Sequence, residues 1–500
     1  MRGVVRSAAG LAMAAVVAGG VIAGCSSGES SVAGRPEWCP TVPGHQVDCG
    51  VVQRPLVEGQ PALGKVDVHY ALVRQGRSDL ANKGTIVPNP GGPGVPMISH
   101  AAEAAALSAG VLDEHSLLLI DPRGTGLSSP VDCGVGEEEF RLGTREQQRE
   151  AVGRCGERLG ARAAGYTSAA TADDFNAVRE HLGIPKVVLY GISYGTYLTP
   201  VYAQRHPETV QSMVLSGAYP SDFDRLQRPN AEAVSLALQR ICERSGVCDG
   251  NTAVADLTAV AQRLRTQPLT VDVGKPVALT EGKLATLVFE AATSNVGANP
   301  QAMTPLGMLP AALHASVRGD DSKLVEFVKA TTVEPSYENI NAYVTVTCND
   351  YAPLWSMEAS IPQREQQYRD ALAKAPAGVG AFSAEGFGEG QRDGGDSCIR
   401  WPGVANHQRP DQVSDPMPDV PVLVISGDLD AITPDANGKL AAAKFPRSTF
   451  ISVPNTGHVP DMEPSGCVVG IVGEFIRTGA TTDTGCVAAI PPIAVAPVTD

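Results

Sequence analysis

Two blocks of this chain alternate short apolar runs with helix-like stretches, and a long region of different rhythm lies between them. In the first block, residues 66–73 alternate in part, as an early strand does, while residues 85–89 and 117–121 are short apolar runs ending in turn residues. Residues 171–183, TADDFNAVREHLG, predict a helix. Thr171 and Asp174 have capping-box spacing, Phe175, Val178 and Leu182 share a face, and Gly183 suits the position just past the end. A strand over 186–191, a helix over 194–205 and a strand over 210–216 follow. This β/α order predicts an α/β fold with a mostly parallel sheet and helices on both faces.

The rhythm fades after Pro220. Residues 221–415 carry helical segments at 231–241 and 283–292 and a Gly-rich stretch at 378–397, and read as an inserted helical cap. The β/α pattern resumes at 421–426, with a strand over 448–453 and a last helix over 467–478. The expected organisation is therefore a core of 39–220 and 416–490 interrupted by the cap, with a tail over 491–500.

The first 25 residues stand apart. Arg2 and Arg6 precede an apolar run from Ala8 to Ile22, as in an export signal, and Ile22-Ala-Gly-Cys25 resembles the lipobox in which Cys25 is lipidated. Residues 26–38 then read as a flexible tether, with a membrane as the partner of the lipid. Setting Cys25 aside leaves ten cysteines, an even number that suits disulfides in an exported chain. Their local spacing favours Cys39–Cys49, Cys133–Cys155, Cys242–Cys248, Cys348–Cys398 and Cys467–Cys486. The net charge of −15 argues against a nucleic-acid partner. With no C-x-x-C pair and no H-E-x-x-H, neither a metal nor another cofactor is expected.

One stretch carries the chemistry. In LYGISYGTYL, residues 189–198, Ser193 sits between Gly191 and Gly195 where a strand gives way to a helix. That is the arrangement of a serine nucleophile on a strained turn. A serine needs a base, and the base needs an acid to fix its tautomer. In the chain order Ser, acid, His, the base is His458, in the loop Pro454-Asn-Thr-Gly-His458. The acid comes from Gly427-Asp-Leu-Asp430-Ala-Ile-Thr433-Pro434. Thr433 reads as a helix N-cap with Pro434 at the first helical position. Asp430 then lies mid-loop and is taken as the acid, leaving Asp428 to bond the loop. The oxyanion donors are expected to be the N–H groups of Tyr194 and Gly92, with Gly91 as the alternative to Gly92.

The segments NPGGPG (89–94), DPRGTGLS (121–128), GISYGTYL (191–198) and GDLDAITP (427–434) together resemble the prolyl aminopeptidases. They are also similar to the secreted actinobacterial tripeptidyl aminopeptidases and their lipoprotein relatives, with Asn89 where the family has histidine. The resemblance implies an α/β-hydrolase fold and a serine exopeptidase that releases short peptides from free N-termini, with carboxylesterase activity as the alternative. It implies a cap whose acidic side chains meet the substrate amine, for which Asp350 is a candidate; a cap or turn role for Asp350 fits as well. Arg123 is expected to order the loop beside the oxyanion donors.

Overall fold

The computed structural model describes residues 35–292, 296–332, 338–376, 378–391, 394–404 and 407–499. Cys25 and the signal-like segment lie outside them. Among the described residues the strands are β1 (Val47–Pro55), β2 (Lys65–Val73), β3 (Thr85–Asn89), β4 (Ser116–Ile120), β5 (Val187–Ile192), β6 (Val210–Ser216), β7 (Leu269–Asp272), β8 (Pro276–Leu279), β9 (Val422–Gly427) and β10 (Ser448–Val453). Eight of them form one sheet in the order β1-β2-β4-β3-β5-β6-β9-β10, while β7 and β8 pair as a ribbon within the insertion. Only β1 with β2 and β2 with β4 are antiparallel; every other neighbouring pair in the sheet is parallel.

The central strands β3, β4, β5 and β9 are buried on both faces because both faces are covered. In β4, Leu118 and Ile120 enter one core while Leu117 and Leu119 enter the other. In β5, Val187 and Leu189 face the first, and Val188 and Tyr190 the second. The first core is closed by helices Arg145–Leu159, Ser168–His181 and Gly195–Arg205, through residues such as Val152, Phe175 and Val201. The second is closed by helix Cys467–Thr478 through Ile471, Val472 and Phe475. Burying such side chains stabilises the fold by roughly 1.5–3 kcal/mol each, before the entropy of ordering them.

Two sequence expectations shift. The Ser168–His181 helix begins three residues before Thr171, with Thr167 as its N-cap. Asp174 caps nothing: it is buried and takes both arms of the Arg123 guanidinium, at 2.7 and 2.6 Å. Arg123 also donates to the carbonyls of Leu56 and Gly165, so it ties three segments together. A buried carboxylate beats an N-cap role here because an unpaired arginine would be far costlier.

The insertion builds its own core. Helices Arg228–Ser245, Gly250–Thr266, Glu281–Ala291, Pro305–Val317 and Ala384–Gly390 meet through Leu238, Leu257, Leu284, Leu309 and Phe387. Helix Ile340–Asp350 and Trp401, inside the same span, rejoin the first core, where Trp401 donates to Asn349 at 2.8 Å. The expected tail also departs from its sequence reading. Ile493 packs into the cap, and the N–H groups of Ala494 and Ala496 donate to Pro300 and Gly307.

All five local cysteine pairs are bonded. Cys348–Cys398 closes the longest loop, with a sequence separation of 50. The double variant Cys348→Ala/Cys398→Ala should lose about 4 kcal/mol in urea unfolding, from loop-closure entropy. Unchanged stability would mean that this bridge restrains nothing.

Candidate active site

Four loops leave the carboxyl ends of parallel strands at one edge of the sheet, where open α/β sheets place their ligands. They follow β3, β5, β9 and β10. The loop after β5 is the tightest. Ser193 holds φ 56°, a left-handed conformation that L-residues adopt at a cost. Its N–H donates to Ser216 at the end of β6, and Thr196 donates back to the Ser193 carbonyl from both its N–H and its hydroxyl. Gly191 and Gly195 are required by proximity. A Cβ on Gly191 would lie 2.3 Å from the Gly195 carbonyl oxygen, and one on Gly195 would lie 2.4 Å from that of Asn89.

The loop after β3 runs against this turn. A Cβ on Gly91 would fall 2.9 Å from Ser193 Cβ and 3.1 Å from the Tyr194 nitrogen. The Gly91 N–H is engaged by Asn89 Oδ1 at 3.1 Å, which removes it as an oxyanion donor. Among the described residues, the N–H groups of Gly92 and Tyr194 meet no protein acceptor. Asp121 steadies the neighbouring chain by accepting from the N–H groups of Met97, Ile98 and Leu127.

The loops after β9 and β10 bring Asp430 and His458 together. His458 Nδ1 lies 3.0 Å from Asp430 Oδ2. Asp430 is 2% exposed and also accepts the N–H groups of Ile432 and Thr433 at 2.7 and 3.0 Å. The Thr433 hydroxyl donates to Asp430 Oδ2 at 2.5 Å, and its oxygen lies 3.0 Å from His458 Nδ1. With its one proton committed to the carboxylate, that oxygen presents a lone pair to the imidazole. Both neighbours of Nδ1 therefore accept, which places a proton on Nδ1 and makes Nε2 the acceptor of the neutral ring. Gly217 (φ 63°), just past β6, passes close beneath: a Cβ there would be 2.7 Å from the His458 carbonyl oxygen and 3.4 Å from Cε1. Since Ser193 is bonded to the adjacent Ser216, the imidazole and the serine turn share one strand end.

Residues 84–296 match the family model described as alpha/beta hydrolase fold, and residues 383–487 match the one described as TAP-like protein. The chain has an α/β-hydrolase fold, with a region similar to TAP-like proteins towards its C-terminus. It is 30% identical to the tripeptidyl aminopeptidase of Streptomyces lividans over 200 residues, 36% of this chain and 37% of that protein. The alignment thus spans little more than a third of that relative. The serine protease Hip1 of Mycobacterium tuberculosis is 26% identical over 445 residues, 80% of each chain. The solved proline iminopeptidase of Mycobacterium smegmatis is 15% identical, with a TM-score of 0.42, covering 86% of this chain and 98% of that one.

In this α/β hydrolase Asp350 does not fit the amine-binding role. Its side chain is wholly buried, Oδ2 accepts the Ser168 N–H at 2.6 Å, and Oδ1 lies 3.0 Å from His407 Nε2. A carboxylate so enclosed has no face left for a substrate. Asp428 is likewise engaged away from His458, by Arg244 and the Asn455 N–H.

Three residues of the site escaped sequence reasoning. Thr433 was expected only as an N-cap, yet helix Asp435–Ala442 has Pro434 at its N-cap and the threonine hydroxyl serves Asp430 instead. Glu338, at the approach to helix Ile340–Asp350, accepts the Gly94 N–H at 3.3 Å; a Cβ on Gly92 would lie 2.6 Å from its Oε1. Asp461, three residues after His458, is fully enclosed and accepts hydroxyls from Tyr190 of β5 and Ser216 of β6. Its spacing from the histidine was the one signal in the sequence. Two surface cavities, one lined by Trp38 and Leu127 and one by Trp355 and Lys374, include none of Ser193, Asp430 and His458.

Burial pushes the Asp461 carboxyl above its usual range, against the two hydroxyl donors that favour the anion. The folded state then holds this proton more tightly than the unfolded chain. The corresponding stability is complete below about pH 4 and is lost as pH rises through the raised value. Asp461→Asn cannot ionise, so its stability relative to wild type should improve as pH climbs through that window. Urea titrations at stepped pH read this difference, and a change in the opposite direction would show an ionised, well-paired Asp461.

Proposed function

We propose that this protein is a serine hydrolase of the exopeptidase type, releasing short peptides from free N-termini. The observation that carries the reading is the meeting, at one sheet edge, of a strained serine, a buried Asp–His pair and two backbone N–H groups with no acceptor among the described residues. The relatives named tripeptidyl aminopeptidase and serine protease support the choice of peptide over other acyl substrates.

The mechanism follows from those groups. Ser193 Oγ attacks the scissile carbonyl and His458 Nε2 takes its proton. The developing oxyanion accepts from Gly92 and Tyr194, whose N–H groups are already in place and need no reorganisation. Asp430 stabilises the imidazolium and holds its orientation, with Thr433 bridging the two. As the tetrahedral species collapses, the C–N bond breaks and His458 protonates the leaving amine, giving an acyl ester on Ser193. Water, deprotonated by the same imidazole, hydrolyses the ester and restores the serine.

With Asp350 enclosed, we assign the substrate's α-ammonium to Glu338. Its carboxylate accepts the Gly94 N–H, two residues past the proposed oxyanion donor Gly92. We further propose that the chain is exported and lipid-anchored to a membrane through Cys25. The N-terminal pattern and five disulfides support that compartment. No helix among the described residues is long and apolar enough to cross a membrane.

Ser193→Ala should fold and lose at least about a thousandfold in hydrolysis. A fluorophosphonate probe should label the wild type alone; labelling retained in the variant would place the nucleophile elsewhere.

Substrate class is read by blocking the amine. Losing a charge-assisted contact typically costs about 2–5 kcal/mol, so N-acetylation should lower kcat/KM on peptide amides by roughly 30-fold or more. Glu338→Gln should shrink that discrimination and spare short p-nitrophenyl esters. Equal cleavage of free and acetylated peptides would leave an esterase or endopeptidase as the better description.

A further inference from the structure

The loops bearing Asp430 and His458 are gripped from the cap side as well as from the sheet. Two arginines of one cap helix reach Asp428: Arg240 donates to its carbonyl, and Arg244 takes its carboxylate. Arg244, near the end of cap helix Arg228–Ser245, sets its guanidinium on Asp428: Nη1 lies 3.1 Å from Oδ1 and Nη2 lies 2.5 Å from Oδ2. Nη1 also donates to Asn455 Oδ1 at 2.9 Å. Asp428 lies two residues before Asp430, and Asn455 lies three before His458.

The two loops are joined beneath this clamp. Asp428 Oδ1 accepts the Asn455 N–H at 2.8 Å, and Asn455 takes a left-handed φ of 63° to offer it. The Leu429 N–H donates to Thr456 at 2.9 Å. Other cap groups hold the same loops: Asn230 Nδ2 donates to the carbonyls of Ala431 and Ile432 at 3.0 and 2.6 Å, and Val296 accepts the Gly457 N–H at 3.0 Å. The Cys242–Cys248 disulfide fastens the helix end that presents Arg244.

We propose that Arg244 is a positioning residue of the hydrolytic reaction. From the cap it sets the acid loop and the base loop in register, so that the Asp430–His458 pair is aligned only with the cap in place. The inference rests on the triad reading above. An arginine suits the task because its planar fork meets both carboxylate oxygens and a third acceptor in one plane. The Arg244 side chain is 29% exposed and that of Asp428 is 7% exposed, so solvent screens one side of the pair and its main effect is geometric. A displacement of about 1 Å at a catalytic group can cost on the order of a hundredfold in rate.

The test uses the full chain and p-nitrophenyl acetate, an ester too small to depend on cap subsites, with active sites counted by the end point of fluorophosphonate labelling. Arg244→Gln should lower kcat by roughly 10- to 100-fold with KM little changed. Arg244→Lys should recover part of the loss, because an ammonium reaches Asp428 without the fork. Asp428→Asn, which breaks the clamp from the other side, should reproduce the kcat loss and answers the question if Arg244→Gln does not fold. Arg263→Gln, which removes a pairing with Asp321 inside the cap, should behave as wild type. Wild-type kcat in Arg244→Gln or in Asp428→Asn, or a change confined to KM, would overturn the proposal. Asp430→Asn, run in parallel, separates the two levels. If it is inactive while the clamp variants are fully active, the positioning role alone fails. If it is fully active, the triad reading fails and the positioning role falls with it.

Discussion

The backbone of Ser193, held at positive φ, is the constraint on which the rest of the site depends. A residue with a side chain stays there only if its surroundings over-determine it. Here the Ser193 N–H is fixed to the end of β6, and the turn is returned upon itself by Thr196. The closeness of this fold-back dictates glycine at 91, 191 and 195, since a Cβ at any of them would meet a neighbouring atom well inside contact distance. Those same glycines bring the loop after β3 alongside Tyr194. The same local strain therefore also brings the Gly92 loop beside the Tyr194 N–H.

Around that turn the molecule is organised as concentric supports. Asp461 ties β5 and β6 together below the serine while belonging to the histidine loop, so the strand ends and the His458 loop are directly bonded. Arg123 and Asp174 lock the segment after β4 to the helix that precedes β5. From above, cap residues contact the acid and base loops. The insertion is thus joined by named bonds to the sheet edge that carries Ser193, Asp430 and His458, and the tail from Ile493 to Ala496 fastens the insertion from a second direction.

Local patterns made the sheet, the serine turn and the cysteine pairing legible. Strands such as 117–120 are apolar throughout, the serine turn is spelled out by its flanking glycines, and each cysteine has its partner nearby in sequence. What escaped reading depends on distant partners. Asp174 has capping-box spacing from Thr171, but Arg123, 51 residues earlier, claims it. Asp350 is enclosed by Ser168 and His407, 182 and 57 residues away. β1 was missed because Gly50 and the polar Gln53 and Arg54 interrupt any apolar run; it is an edge strand, with Gly50 lying against the Tyr70 ring. Thr433 was misread for a subtler reason. Its residue type suits a helix start, and only the fold reveals that its hydroxyl is committed to Asp430 and the imidazole.

The central claim is that Ser193, the Asp430–His458 pair and the N–H groups of Gly92 and Tyr194 converge on a single reacting centre. A crystal structure of the covalent fluorophosphonate adduct tests it directly, because the phosphoryl group copies the shape and charge of the tetrahedral species. The account predicts phosphorus bonded to Ser193 Oγ, one phosphoryl oxygen within hydrogen-bond distance of both N–H groups, and His458 Nε2 facing the leaving-group side. An adduct on another residue, or a phosphoryl oxygen turned away from Gly92 and Tyr194, would contradict it.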